Sequence, residues 1–244
     1  MRLIPRIDIK NKTLIKGIQL EGLRVLGDPY GFVKKYYLAG ADELLLMDCV
    51  ASLYDRNGLD DFLKELSEEI FIPVCAGGGI RKVKDVENAL LSGADKVAVN
   101  TAAIKNTRII TEMATEFGSQ AIVGSIETKR IKNQHICFFD NGREESPKEL
   151  CDWIVQLEDA GIGELLVTSV DAEGTKRGYD QAVIEKSLKK TTRPLIYCGG
   201  IGSLNDVKML DDQYGQELAG VSIASILHYN ISSVEEISGI INNG

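Results

Sequence analysis

Residues 39–48 read AGADELLLMD, and a close copy, AGIGELLVTS, stands at residues 160–169. Each copy is a glycine-containing turn followed by a short apolar run that ends in a polar residue. Three further pairs keep the same order in both halves. IPVCAGGGI (72–80) matches RPLIYCGGI (193–201), VAVNTAAI (97–104) resembles VSIASILH (221–228), and RIDIKNK (6–12) sits opposite SIETKRI (125–131). All four pairs are offset by about 120 residues, half of the chain. Similarity at one fixed period is the mark of a repeated architecture, and here the period divides the chain into two fused halves.

Outward from these pairs, short apolar runs recur and alternate with helical patterns. The expected strands are 3–9, 43–47, 72–76, 96–99, 121–126, 164–168, 194–197 and 219–223. Between them lie stretches such as DFLKELSEEI (61–70) and VKDVENALLSG (83–93), with apolar residues at helical spacing. Strands alternating with helices imply parallel βα units. Eight units in 244 residues predict an α/β fold, a single (β/α)₈ TIM barrel over residues 1–244 with an internal two-fold half-barrel repeat; such barrels run to ~250 residues. Two segments break the rhythm. Residues 16–28 form a long excursion after strand one, and residues 129–142 have the turn residues of a hairpin after strand five. Long loops at this end of a barrel are usually lids or binding loops.

Composition excludes several classes. A net charge of −8 argues against nucleic-acid binding, which uses basic patches. The five cysteines are scattered without a CxxC pair, so reduced thiols in a cytoplasm are expected rather than a disulfide or zinc framework. The N-terminus MRLIPRIDIK lacks the pattern of a signal peptide, and no apolar run approaches the ~18 residues of a membrane span. No His/Asp/Glu cluster has metal-ligand spacing, so neither metal nor cofactor is expected. Trp153 is expected in the core, and His135 and His228 are expected to have packing or surface roles.

The repeat makes Asp8 and Glu127 symmetry mates at the ends of strands one and five, facing each other across the barrel mouth into one shared pocket. Carboxyl groups at the C-terminal ends of barrel strands suit proton transfer; the alternative is loop salt bridges with Lys10, Lys16 or Lys129. Phosphate candidates follow other strands. Gly77, Gly78 and Gly79 come after strand three, Asn100 and Thr101 after strand four, Gly199 and Gly200 after strand seven, and Ala224 and Ser225 after strand eight. Glycine lets backbone N–H groups approach an anion closely. Two facing anion sites would fit a substrate with a phosphate at each end.

Taken together, the stretches LIKGIQLEGLR, GADELLLMDCVAS, IPVCAGGGIR, GADKVAVNTAAI, FGSQAIV, GELLVTSVDAEGTKRGYD and CGGIGS resemble the cyclase subunits of imidazole glycerol phosphate synthase, the HisF family, over nearly the whole chain. The resemblance implies that a HisH-like glutaminase partner docks on the N-terminal face. Its ammonia would pass through the barrel to a bisphosphorylated ribulosyl-aminoimidazole carboxamide nucleotide. It implies catalytic roles for Asp8, Glu127 and Lys16, and an ammonia gate of Arg2, Glu43, Lys96 and Glu164. Asp95 and Gln120 would lie at the partner interface. Gly79, Asn100 and Thr101 would hold one phosphate; Glu173, Gly174, Gly200 and Ser225 would serve the other.

Three positions depart from the family pattern: Glu127 and Glu173 stand where Asp is usual, and Arg6 where Cys is usual. An added methylene moves a carboxyl by about one C–C bond, and a misplacement near 1 Å can cost ~100-fold in rate. Strand side chains alternate, so Arg6 shares the inward face with Asp8, and a cation there would lower a nearby carboxyl's pKa. Alternative readings are a paralogous ammonia-delivering amidotransferase subunit with another acceptor, as in amidino-sugar synthesis. Further off are a related sugar isomerase barrel and a non-catalytic phosphate-binding partner.

Overall fold

The computed structural model describes residues 1–51 and 59–241; Ser52, which closes the GADELLLMDCVAS stretch, lies outside them. In chain order the strands are β1 (Arg2–Lys10), β2 (Thr13–Ile18), β3 (Glu21–Gly27), β4 (Leu44–Asp48), β5 (Val74–Gly77), β6 (Lys96–Val99), β7 (Ile122–Ile131), β8 (Gln134–Phe139), β9 (Glu144–Glu149), β10 (Glu164–Ser169), β11 (Leu195–Cys198) and β12 (Gly220–Ile223). Eight of them pair in parallel in the ring β1-β4-β5-β6-β7-β10-β11-β12, which closes between β12 and β1. The expected (β/α)₈ barrel is therefore present, and each expected strand overlaps an observed one. The first and fifth strands of the ring, β1 and β7, lie opposite each other.

Both faces of these strands are buried, as parallel barrel strands require. The alternation of side chains sorts them into two cores. Leu3, Ile7, Ile9, Leu44 and Leu46 pack outward against the helices together with Trp153, Val86 and Ile237. Ile4, Leu45, Cys75, Ala98, Val123, Leu166 and Ile196 fill the lumen. A two-residue period thus places Ile4, Arg6 and Asp8 on one inward-facing row of β1.

Both excursions are antiparallel hairpins. β2 continues from β1 with Asp8 opposite Ile15, and β3 returns along it. Gln19 and Leu20 turn the chain with φ of 54° and 63°, the all-positive pattern of a two-residue hairpin turn. The tip is tied down across the mouth. Gln19 N–H donates to the Glu173 carbonyl at 2.7 Å, and the Asn141 amide donates to the Leu20 carbonyl at 3.2 Å. A Cβ on Gly174 would collide with the Gly17 carbonyl, so the close contact between this hairpin and the loop after β10 requires glycine there. β7 and β8 form the second hairpin, with Glu127 opposite Phe138, extended by β9.

The half-barrel repeat persists in local detail. Asp85 accepts hydrogen bonds from the Arg81 and Lys82 backbone N–H groups, and Asp206 accepts from Gly202 and Ser203. Both carboxylates thereby satisfy donors at the start of their helices.

Candidate active site

The C-terminal mouth holds a cluster of four charged side chains, all at least 97 % buried: Arg6, Asp8, Lys16 and Glu173. Arg6 Nε donates to Asp8 Oδ1 at 2.7 Å. Lys16 Nζ donates to Glu173 and lies 3.6 Å from Asp8 Oδ2. Two cations and two carboxylates taken out of water together stay charged only because they neutralise one another. Burial raises Asp8, but Arg6 and Lys16 outweigh it and hold the carboxyl below its ordinary value. Glu173 is held low in the same way, by Lys16 and then Arg6. Lys16 is driven upward by Glu173 and Asp8 despite burial.

Glu127 is placed differently. It is buried and accepts a hydrogen bond from the Gly142 N–H at 2.7 Å, while Lys129, on its own strand, donates to the Gly142 carbonyl. Burial pushes its carboxyl up to about 7, against the weaker pull of Arg6 and the hydrogen bonds. A carboxyl poised there can donate a proton near neutral pH.

Glu127 also lines a cavity of about 360 Å³ together with Gly79, Asn100, Thr101, Ser125 and Asn141, within the range of small-molecule sites. Asn100 is anchored by donating to the Phe138 carbonyl at 3.2 Å, and Thr101 Oγ1 accepts from the Asp140 N–H at 3.1 Å. Arg81 and Lys105 stand on the same wall. Neither was singled out in the sequence, although each closely follows a turn that was, Gly77–Gly79 and Asn100–Thr101. Two basic residues a few positions beyond such turns were the signal available.

The two halves of the mouth differ. The cavity opens to Glu127 and to the Gly79–Thr101 turns, but Asp8, Glu173, Gly174, Gly199, Gly200, Ala224 and Ser225 are not part of its lining. Asp8 instead makes the salt bridge to Lys16 that was the alternative for it, and a second to Arg6. The reason is volume and charge: the guanidinium, the ammonium and the Glu173 carboxylate occupy the Asp8 half of the mouth. Gly199 and Gly200, with φ of 124° and 85°, make the tight turn after β11. A Cβ on Gly200 would strike the Gly178 carbonyl, so close backbone packing by itself requires glycine in that turn.

At the opposite end, Arg2, Glu43, Lys96 and Glu164 come together. Arg2 bridges Glu43 and Glu164, and Lys96 Nζ lies 2.7 Å from a carboxylate oxygen of each. The result is an alternating ring of two cations and two anions beneath the apolar lumen. Asp95 accepts from the Val74 N–H at 2.8 Å and lines a groove with Ile70, Phe71 and Pro73 on this face. Phe71 is 76 % exposed. Gln120 is exposed, with its amide on the Phe117 carbonyl. His135 packs against Lys186 and His228 stacks on Tyr36; Trp153 is fully buried. Among the described residues no group of three or more His, Cys, Asp or Glu could hold a metal ion, and no helix is long and apolar enough to cross a membrane.

Glu127 gives a stability prediction. An acid whose folded pKa lies above its unfolded value stabilises most below the unfolded value, and that contribution disappears as pH rises through the folded one. From an ordinary value of 4.5 to about 7, the loss amounts to about 3 kcal/mol. Glu127→Gln keeps a neutral acceptor for Gly142. Its melting temperature is therefore expected to gain on the native chain's progressively from pH 4.5 to 7; two parallel curves would contradict the high pKa.

Fold and mouth together define a two-fold-repeated (β/α)₈-barrel enzyme with paired buried carboxyls at one end and a charged ring at the other. The chain belongs to the histidine biosynthesis protein family, whose model matches residues 2–233. It is 49% identical over 207 residues to the imidazole glycerol phosphate synthase subunit HisF of Legionella pneumophila, covering 84% of this chain and 98% of that one. The HisF subunit of Natranaerobius thermophilus is 35% identical over 241 residues, 99% of this chain and 95% of its own. That of Dictyoglomus thermophilum is 39% identical over 238 residues, with coverage of 97% and 93%.

Proposed function

We propose that the chain is the cyclase subunit of an imidazole glycerol phosphate synthase. It uses ammonia to convert a bisphosphorylated ribulosyl-aminoimidazole carboxamide nucleotide into imidazole glycerol phosphate and aminoimidazole carboxamide ribotide. The observation that carries this reading is the axial arrangement. Asp8 and Glu127 rise from opposite strands above a lumen whose lining is apolar apart from the Arg6 guanidinium just beneath the mouth, and the Arg2–Glu43–Lys96–Glu164 ring closes its other end. Neutral ammonia suits such a lumen, whereas an ammonium ion would lose its hydration there at large cost.

In this reading Glu127 supplies a proton to the substrate and Asp8 accepts one. Gly79, Asn100 and Thr101 hold one phosphate. The turns bearing Gly174, Gly199, Gly200, Ala224 and Ser225 hold the other once the β2–β3 tip lifts from the Glu173 loop. A glutaminase subunit docks on the face carrying Asp95, Gln120 and the exposed Phe71. The cytoplasm is the fitting compartment, in keeping with five free cysteines.

One observation favours a second reading: Arg6, Lys16 and Glu173 fill the Asp8 half of the mouth. This would retune an ammonia-delivering subunit for a different acceptor, as in amidino-sugar synthesis. Complementation of a histidine auxotroph lacking its cyclase separates the two. Growth supports the cyclase. Failure to grow, with intact expression and a glutaminase partner supplied, supports the second acceptor.

A further inference from the structure

The internal repeat relates RIDIKNK to SIETKRI, so the counterpart of Asp8 is Glu127 and the counterpart of Arg6 is Ser125. The acids are alike, while the residues two positions before them differ. Arg6 and Ser125 both point inward, at 1 % and 2 % exposure. Ser125 leaves room and lines the cavity. Arg6 crosses the lumen from β1 towards the far side, its Nη1 3.4 Å from Thr168 on β10 and 3.6 Å from Cys198 on β11. Its Nε is committed to Asp8, and Nη2 has no hydrogen-bond partner among the described residues.

We propose that Arg6 is a positioning residue that makes the two symmetry-related carboxyls unequal, holding Asp8 as the proton-accepting carboxylate and leaving Glu127 as the proton-donating acid. The inference rests on the acid–base reading of the mouth given above. Two carboxyls in equivalent surroundings would ionise at similar pH and could not divide the work of acid and base; environments that push their pKa values apart assign the roles. The guanidinium in direct contact with Asp8, placed in one half of a duplicated barrel, is the nearer of the two cations that create the difference. The groups around it keep the assignment. Asp8 on β1, Lys16 on β2 and Glu173 in the loop after β10 complete the neutral cluster. Cys49 after β4 and Cys198 on β11 have thiols raised by burial. His228, beyond β12, is driven down to about 4 by burial and then by Lys16. From β7 only Glu127 faces the cluster, and it meets the Gly142 N–H rather than a salt-bridge partner.

Carbon-13 NMR titration of the Asp and Glu side-chain carboxyls in the isolated chain tests this without substrate or partner. In the native chain Glu127 is expected to titrate near 7 and Asp8 well below it. In Arg6→Met the Asp8 midpoint is expected to rise further than that of Glu127, because Asp8 loses a guanidinium bonded to it at 2.7 Å and Glu127 only an attraction that burial already outweighs, so the gap between them narrows. Arg6→Lys is expected to restore both towards native values. The same shifts should move both limbs of the pH–rate profile of the complex upward, whereas a purely structural role would lower the rate at every pH without moving either limb. An unchanged gap between the two midpoints in Arg6→Met overturns the proposal. If that variant fails to fold, the native order decides: Glu127 titrating below Asp8 overturns it, and the reverse supports it. Failed complementation with the expected titration would reject the cyclase reading and leave the role of Arg6 standing.

Discussion

Asp8→Asn is expected to lower turnover by roughly 10²- to 10⁴-fold, the usual worth of a positioned acid or base. The substitution keeps shape and removes the capacity to accept a proton together with the negative charge. It also leaves Arg6 and Lys16, both buried, with Glu173 as their remaining carboxylate. An uncompensated buried cation is destabilising, so the rate must be read beside a melting curve and beside inorganic phosphate binding at the Gly79–Thr101 end. A folded variant that binds phosphate but has lost turnover identifies Asp8 as the base. Turnover within about threefold of native would mean that Asp8 serves only as counterion to the two cations, and the acid–base reading of the mouth would fail.

Breaking the Lys16–Glu173 pair is expected to have the largest effect on stability. Both side chains are almost fully buried and donate or accept directly between each other. Glu173→Ala leaves Lys16 with Asp8 at 3.6 Å as its one carboxylate among the described residues, and two cations would then share one anion. Removing one partner of a buried pair costs about 3–5 kcal/mol, which for a chain of this size lowers the melting temperature by roughly 10 °C. The double variant Lys16→Met/Glu173→Met removes both charges and fills the space with apolar atoms; it is expected to recover most of that loss, as such replacements often do. If Glu173→Ala melted with the native chain, water would have to reach the cluster and the description of a sealed ionic mouth would be wrong. The pair also anchors the hairpin: Lys16 on β2 donates to the Glu173 side chain in the loop after β10, so its loss should increase proteolytic nicking between Gly17 and Gly22.

The stability and the chemistry of the mouth therefore compete for the same residues. Asp8 is a catalytic candidate and also one of the counterions that keep Arg6 and Lys16 charged. Glu127, free of that network, is the group whose protonation responds to pH in the neutral range.

The sequence alone determined the barrel, its duplicated halves, the opposition of Asp8 and Glu127, and the inward direction of Arg6. These are consequences of local periodicity: a two-residue alternation decides which face a side chain takes, and a half-length repeat decides which residues are mates. The charged ring could be named from family resemblance because its members sit at the start of β1, beside the start of β4, and at the starts of β6 and β10, where that alternation points inward. Only the tertiary structure decided that the two halves of the mouth differ. Whether Lys16 meets Asp8 or solvent depends on how the β2–β3 hairpin folds back, and Glu173 reaches it from 157 residues away in sequence. Long-range electrostatic closure has no period and leaves no pattern in the chain. It arises when groups that must leave water find partners that only the closed barrel brings within reach.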